Sequence, residues 1–488
     1  MDFSNISGID VKNLKQRDYI LNNYNTHKFD ENHILVTTDH SSWTVLDKQE
    51  YKLLRLGRVH EDKKLYQKLE KEGIILSEDN VKDVVETYRK SKSFLYQGPT
   101  LHIVTPTMRC NARCVYCHSR AKHVDEKDVD MDRETAKKIV DFIMKAPSDS
   151  HIIEFQGGDT LLNYDTTEFI IDYARDRAEE EGKRISFSLV TNLTLMNEDI
   201  IDSLKKREIK GLATSLDGPK DIHDKNRIYA RDGRGTYEDT VHWINRINNE
   251  FSDDFNLNAM TTVTSHALGR GKDIVDEFVD LGFNGIWLRP LNNLGYAKDT
   301  WDQIGYTQKE FFNFWTNSLD YIMEVNRNGY KLHELMAMVF LYKIFDDYDP
   351  NYVDIMSPCG AGIGQLVYKY NGDIHTCDEG KIDEMFKLGN VYESKYTEIF
   401  DNETLISMVD ISSKESYICN NCEWKPFCGV CPVATYKQQG SIVSKVCEDE
   451  RTRMYSRMIK DIFKRIIYSE EDRKMLKKWK EEDKVYSK

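Results

Sequence analysis

Apolar and polar positions alternate with a period of two in HILVTTD (33–39) and SWTVLD (42–47), which predicts two short strands joined as a hairpin at His40-Ser41. The next stretches, KQEYKLLRLG, EDKKLYQKLEKEGII and EDNVKDVVETYRKS, set apolar residues at helical spacing among many charges and predict three helices. From residue 101 strand-like and helix-like periods take turns. The strand-like runs are LHIVTP (101–106), HIIEFQGG (151–158), ISFSLVTN (185–192), IKGLATSLDG (209–218), NLNAMTTV (256–263) and GIWLRPL (285–291). Amphipathic stretches such as RETAKKIVDFIMKA (133–146) and TEFIIDYARDRAEEE (167–181) lie between them. Repeated strand–helix units of this length predict an α/β fold with parallel strands inside and helices outside. Six units make a partial (β/α)6 TIM-like barrel, whose chemistry gathers at the C-terminal ends of the strands. In the tail, Met454, Met458, Ile462 and Ile466 recur at helical spacing, a stripe expected to pack on the preceding domain, and a polar end follows.

These changes of texture divide the 488 residues into a unit at 1–95, the α/β domain at 96–345, a cysteine-rich domain at 346–450 and a C-terminal helix at 451–488. Hydrophobic residues at 40% and charged ones at 31% fit a globular chain, and no run approaches a membrane span. The N-terminus, MDFSNISGIDVKNLKQRD, lacks a signal-peptide core, so a cytoplasmic location is expected. Thiols stay reduced there, and ten cysteines argue for metal rather than disulfides. A net charge of −14 disfavours nucleic acid as the main partner.

Cys110, Cys114 and Cys117 stand in MRCNARCVYCHSR, a CxxxCxxC spacing directly after the first predicted strand of the α/β domain. Three thiolates on one loop ligate three irons of a 4Fe–4S cube and leave the fourth open to a chelating small molecule. Zinc prefers paired CxxC arms, which leaves a zinc knuckle as the alternative. The segment resembles the radical SAM superfamily. The resemblance implies that the open iron binds S-adenosyl-L-methionine, which is cleaved to a 5′-deoxyadenosyl radical.

The other motifs extend the resemblance. Gly157-Gly158-Asp159-Thr160 follows the second strand where such enzymes usually have GGEP, a segment that helps hold the amino group of the cofactor. SLDGPKDIHDKNR (215–227) resembles the matching segment of anaerobic sulfatase maturases and implies that Ser215 and Arg227 contact the cofactor carboxylate. An Arg fork suits a carboxylate bidentately. By the same resemblance Thr191 and Asn192 reach the ribose, Tyr116 flanks the adenine, and Leu288 with Arg289 closes the adenine side.

The other cysteines are Cys359 and Cys377, then Cys419, Cys422, Cys428 and Cys431 in CNNCEWKPFCGVC, and finally Cys447. They resemble the SPASM auxiliary-cluster domain, with CGVC one residue shorter than its pattern. The family's ligation implies two more 4Fe–4S clusters, three in all. Cys419, Cys422, Cys428 and Cys447 hold the outer one. Cys359, Cys377 and Cys431 hold the inner one, which is left one thiolate short, completed by another side chain or water or open to a substrate thiolate.

FQGGDTLLN, LVTNLTLM, WLRPLNNLGYA and CEWKPFCGVCPVATYKQQGSIV look most like the His-Xaa-Ser-system radical SAM maturases, which modify ribosomal peptides. The unit at 1–95 resembles a winged-helix element that grips a precursor's leader by adding it as a strand. The resemblance implies hydrogen abstraction from a precursor residue and a thioether or carbon–carbon crosslink, with an electron donor such as flavodoxin or ferredoxin. Two alternatives stand beside it: a sulfatase-type maturase making formylglycine, and a zinc-stabilised binding module without catalysis. Asp217, Asp373, His375, Asp378 and Glu379 lie near the site loops, and the sequence selects none of them as a general base.

Overall fold

The computed structural model describes residues 19–346, 349, 351–415, 417–443 and 450–482. Six strands, Leu101–Thr107, Ser150–Gly157, Arg184–Val190, Gly211–Ser215, Asn256–Val263 and Gly285–Pro290, lie side by side in chain order and parallel. They are called here the first to sixth core strands. His333–Glu334 extends the sheet parallel to the sixth, and Gln365–Tyr368 extends it parallel to the first. Asp373–His375 and Lys387–Asn390 then continue it antiparallel, so one ten-stranded sheet joins the α/β domain to the cysteine-rich region.

Alternation along the strands separates two environments. On the second and third strands Ile153, Phe155, Phe187 and Leu189 are buried against Ile139, Ile143, Ile170 and Ala174 of the helices Arg133–Ile143 and Tyr164–Glu180. Their alternate neighbours Glu154, Gln156 and Val190 line a cavity on the other face. The first of these helices starts where the Asp132 carboxylate accepts the Thr135 N–H.

In the N-terminal unit the strands Ile34–Thr38 and Trp43–Leu46 pair as expected, and a further strand, Tyr24–Lys28, makes the sheet three-stranded. Helices Lys48–Arg55, Lys63–Lys71 and Val81–Ser91 follow. The unit is pinned to the cysteine-rich region: Asn25 Nδ2 donates to Asn420 O at 3.1 Å, Thr37 Oγ1 to Glu423 O at 2.9 Å, and His27 Nδ1 lies 2.6 Å from Glu423 Oε1.

The tail holds two helices, Glu450–Tyr468 and Glu470–Glu482, where the sequence pattern suggests one helix and a polar end. Leu476 and Trp479 account for the second, since both are buried, and the Trp479 indole donates to Asn326. The stripe Met454, Met458, Ile462 and Ile466 is buried, and it packs largely on the helices Gln308–Arg327 and Leu335–Phe345 of the α/β domain. Among the described residues no helix is long and apolar enough to cross a membrane.

Candidate active site

The cavity of about 1000 Å³ runs along the inner face of the core strands and reaches their C-terminal ends at Gly157, Thr191, Ser215 and Pro290. Cys110, Cys114 and Cys117 line it. Their loop is held by two short ladders, Arg109–Cys110 with Lys122–His123 and Ala112–Cys114 with Arg227–Tyr229. Beneath it the buried Arg109 guanidinium grips Asp130 at 2.6 and 2.7 Å and donates to Leu162 O at 2.7 Å. A paired and fully bonded buried ion pair of this kind fixes one loop geometry. No disulfide ties these thiols. Burial pushes the Cys110 thiol well up and the Cys114 thiol to about 11, the latter against the pull of Arg227. Such thiols are protonated until a metal takes the proton's place.

The glycine pair has a reason other than room for a ligand. A Cβ on Gly157 would stand 2.3 Å from Thr107 O, and one on Gly158 1.9 Å from Arg109 O. The second strand therefore closes directly on the backbone that leads into the cysteine loop, and Gly157 has φ +135°. Asp159 is fully buried and satisfied: it accepts Leu161 N–H at 3.1 Å, Thr191 Oγ1 at 3.0 Å and Asn192 N–H at 2.8 Å. Thr191 and Asn192 line the cavity, but their side chains are engaged otherwise than in reaching a ribose. Thr191 donates to Asp159, and Asn192 Nδ2 donates to Asn111 Oδ1 at 2.9 Å with Cys110 Sγ at 3.8 Å.

Tyr116 lines the cavity as well. Its hydroxyl donates to Asp217 Oδ2 at 2.7 Å and accepts from Arg227 Nη1 at 2.7 Å. Asn226 Nδ2 and Thr262 N–H also donate to Asp217, so the cysteine loop, the fourth strand and Arg227 form one buried network. Ser215 and Arg227 both line the cavity. Leu288 does not, because alternation turns it into the apolar core at 1% exposure. Its neighbours Trp287 and Arg289 take the cavity face, with the guanidinium 5.2 Å from the Trp287 ring.

Cys359, Cys377 and Cys431 reach the same cavity from the cysteine-rich region and cluster together. Burial pushes the Cys377 and Cys431 thiols up. Glu379 lies 3.5 Å from Cys431 Sγ, accepts Asn292 Nδ2 at 2.8 Å and pairs with Arg451 at 2.8 Å. Asp378 meets His118 Nε2 at 2.7 Å, which ties the first cysteine loop to the strand end that carries Cys377. Burial opposes the Asp378 charge, but Lys381 and His118 hold its carboxyl well below the usual range. Cys419, Cys422 and Cys428 stand apart from the cavity in a tight turn, where Cys422 N–H donates to Cys419 O at 3.0 Å. Cys447 lies outside the described residues. Asp373 and His375 also lie away from the cavity. With Glu384 they bring ligand atoms within 4.8 Å of one another, yet Lys387, 2.6 Å from Asp373, already supplies the cation.

Three free thiols on one loop beside a buried Arg cation suit a cluster with a carboxylate-bearing ligand, and three more thiols across the cavity suit a second cluster. Residues 104–281 match the radical SAM superfamily, and residues 359–423 match SPASM, an iron–sulfur cluster-binding domain. The cysteine-type anaerobic sulfatase-maturating enzyme of Clostridium novyi is 25% identical over 336 residues, 65% of this chain and 83% of that protein. The protein MJ0907 of Methanocaldococcus jannaschii is 36% identical over 140 residues, 28% of this chain and 45% of its own length. The fold is shared with anSMEcpe holding AdoMet and the Cp18Cys peptide, at TM-score 0.64, 22% identity, 76% of this chain and 99% of that one. It is shared too with Streptococcus suis SuiB bound to precursor peptide SuiA, at TM-score 0.54, 14% identity, 88% of this chain and all of that one. The chain is a radical SAM enzyme with a SPASM iron–sulfur domain, homologous to the anaerobic sulfatase maturases.

Proposed function

We propose that the chain modifies a ribosomally made precursor peptide, forming a thioether or carbon–carbon crosslink. The observation that carries this reading is the single cavity lined by both Cys110, Cys114 and Cys117 and Cys359, Cys377 and Cys431. A substrate in it would lie between a cofactor site and an auxiliary cluster. In this reading three 4Fe–4S clusters are held by the ten cysteines as the resemblance to the SPASM family implies, the inner one by three thiolates. When bound, S-adenosyl-L-methionine and its cluster supply the hydrogen-abstracting radical. Arg227 and Ser215 hold the cofactor carboxylate, Tyr116 and Asp217 aim Arg227, and the cavity walls exclude water and orient the peptide.

The proposed units are 1–95 for leader recognition, a partial (β/α)6 barrel at 96–345, the auxiliary-cluster domain at 346–450 and a closing tail at 451–488, whose described part holds two helices rather than one. A winged-helix-like role for the first unit is supported by one strand edge. Trp43–Leu46 is an edge of the three-stranded sheet and borders a second cavity of about 630 Å³, while the outer cysteine turn lies on the sheet face that carries Asn25, His27 and Thr37. SuiB, bound to a precursor peptide, supports the same reading. An electron donor of the flavodoxin or ferredoxin kind and a cytoplasmic location complete it. Homology to the C. novyi sulfatase-maturating enzyme favours a second reading, formylglycine formation.

The test is iron and sulfide analysis of anaerobically reconstituted protein together with deoxyadenosine formation. About twelve irons per chain are expected, falling to about eight with loss of deoxyadenosine in the Cys110→Ala, Cys114→Ala, Cys117→Ala variant. The precursor encoded nearby should then lose two hydrogens per crosslink. Zinc in place of iron would overturn the proposal, and formylglycine in a sulfatase would select the second reading.

A further inference from the structure

The carboxylates that line the main cavity among the described residues are Glu154, Asp159, Asp378, Glu379 and Glu482. Three are paired with cations, Asp159 is saturated by three donors that include two backbone N–H groups, and Glu154 has neither a cation nor a backbone donor. The donors to Asp159 are Thr191 and the N–H groups of Leu161 and Asn192. Asp378 has Lys381 and His118, Glu379 has Arg451, and Glu482 has Lys331 at 3.2 Å. Glu154 has only neutral donors: the Gln156 amide on its own strand, and the Ser188 hydroxyl at 3.2 Å on the next. The ammonium that acts on it electrostatically, Lys381, is bonded to Asp378. A half-buried carboxylate turned into a cavity without a counter-charge favours a ligand that brings one.

Its place in the fold says which ligand. Glu154 stands on the second strand, three residues before Gly157, with Gln156 on the same face by alternation. Asp378 acts on it across the cavity, and Asp378 adjoins Cys377. Glu154 thus lines the same cavity as the loop of the first three cysteines and the inner cysteine set. Burial, with Asp378 adding to it, pushes its carboxyl up, a strain that a bound cation relieves. We infer that Glu154 is a specificity residue that binds a cationic side chain, lysine or arginine, of the substrate. The peptide nature of that substrate rests on the function proposed above, but the cation site does not.

The probes are N-acetyl-lysine amide, N-acetyl-arginine amide and the neutral N-acetyl-norleucine amide. Their binding to the reconstituted holoenzyme with S-adenosyl-L-methionine is followed by ligand-observed NMR, in which weak binding is readable. One cationic probe is expected to bind about tenfold tighter than the neutral one, and which of them does so separates amine from guanidinium. Glu154→Gln, which keeps the shape, should abolish that preference. Ser188→Ala, which keeps the charge, should retain it. Iron content and melting temperature report that each variant is folded. Equal or absent binding of cationic and neutral probes, or a preference that survives Glu154→Gln, overturns the inference. Failure of the wild type to take up iron would instead overturn the proposed function, and the probes can still be read on that protein.

Discussion

Tyr116 shows how far a residue's role depends on what lies opposite it. The ring precedes Cys117, where its neighbours in sequence suggest a wall for an adenine. The ring lines the cavity, and the hydroxyl bridges Asp217 and Arg227 at 2.7 Å to each. Tyr116→Phe keeps the ring and removes only the bridge, leaving two buried groups short of a hydrogen bond, a loss of about 1–3 kcal/mol. The expected result is a rise of about tenfold in the KM for S-adenosyl-L-methionine, with kcat for deoxyadenosine nearly unchanged and iron content intact. The perturbation of the reduced cluster's EPR signal by the cofactor should need correspondingly more cofactor. If KM is unchanged, the ring alone matters. The CxxxCxxC loop, by contrast, was visible as a spacing, and the structure turns its three thiols into one cavity. Leu288 was misplaced because one step of strand register moves a side chain from cavity to core. Glu154 left no trace in the sequence, since the lack of a cation opposite it is a property of the folded cavity.

At the scale of elements, the six core strands were legible because long strands alternating with amphipathic helices carry two clear periods. Their bounds come within a few residues, and Asn256–Val263 agrees at both ends. The short hairpin strands Ile34–Thr38 and Trp43–Leu46 were legible by their alternation, but other short strands were not. Tyr24–Lys28, His333–Glu334, Gln365–Tyr368 and Asp373–His375 owe their existence to a neighbouring strand rather than to a pattern of their own. One of these has a functional consequence. Because Tyr24–Lys28 extends the sheet on the far side, Trp43–Leu46 is the edge strand that borders the second cavity, and in the proposed reading an incoming leader pairs there. The bond from Thr38 N–H to Ser42 O sets the alternation, which turns the Val45 N–H outward. Val45→Pro removes that donor without breaking the ladder inside the unit. It should raise the KM for a full-length precursor by about tenfold and leave the KM for the leaderless core peptide unchanged. Equal effects on both peptides would mean that the leader binds elsewhere.

Across the whole molecule, two cysteine sets distant in sequence face one cavity and are joined by His118 with Asp378 and by Asn292 with Glu379. Cluster assembly should therefore stabilise both sides of the cavity together. In hydrogen exchange, reconstitution should raise protection at 109–123 and 359–380 in parallel and leave the outer helix Tyr164–Glu180 little changed. Protection rising at only one segment would mean that the two sides fold independently. The thiols also set a pH dependence with a definite sign. Cys114 titrates near 9.0 when exposed and at about 11 when buried. The folded apoprotein therefore holds its proton where the unfolded chain has lost it, and stability falls as pH rises from about 9 towards about 11. In the reconstituted protein iron takes the place of that proton, so this loss should vanish. Denaturant titrations of apo and reconstituted protein between those pH values decide the matter: a parallel loss in both would show that the buried thiols are not the groups that iron engages.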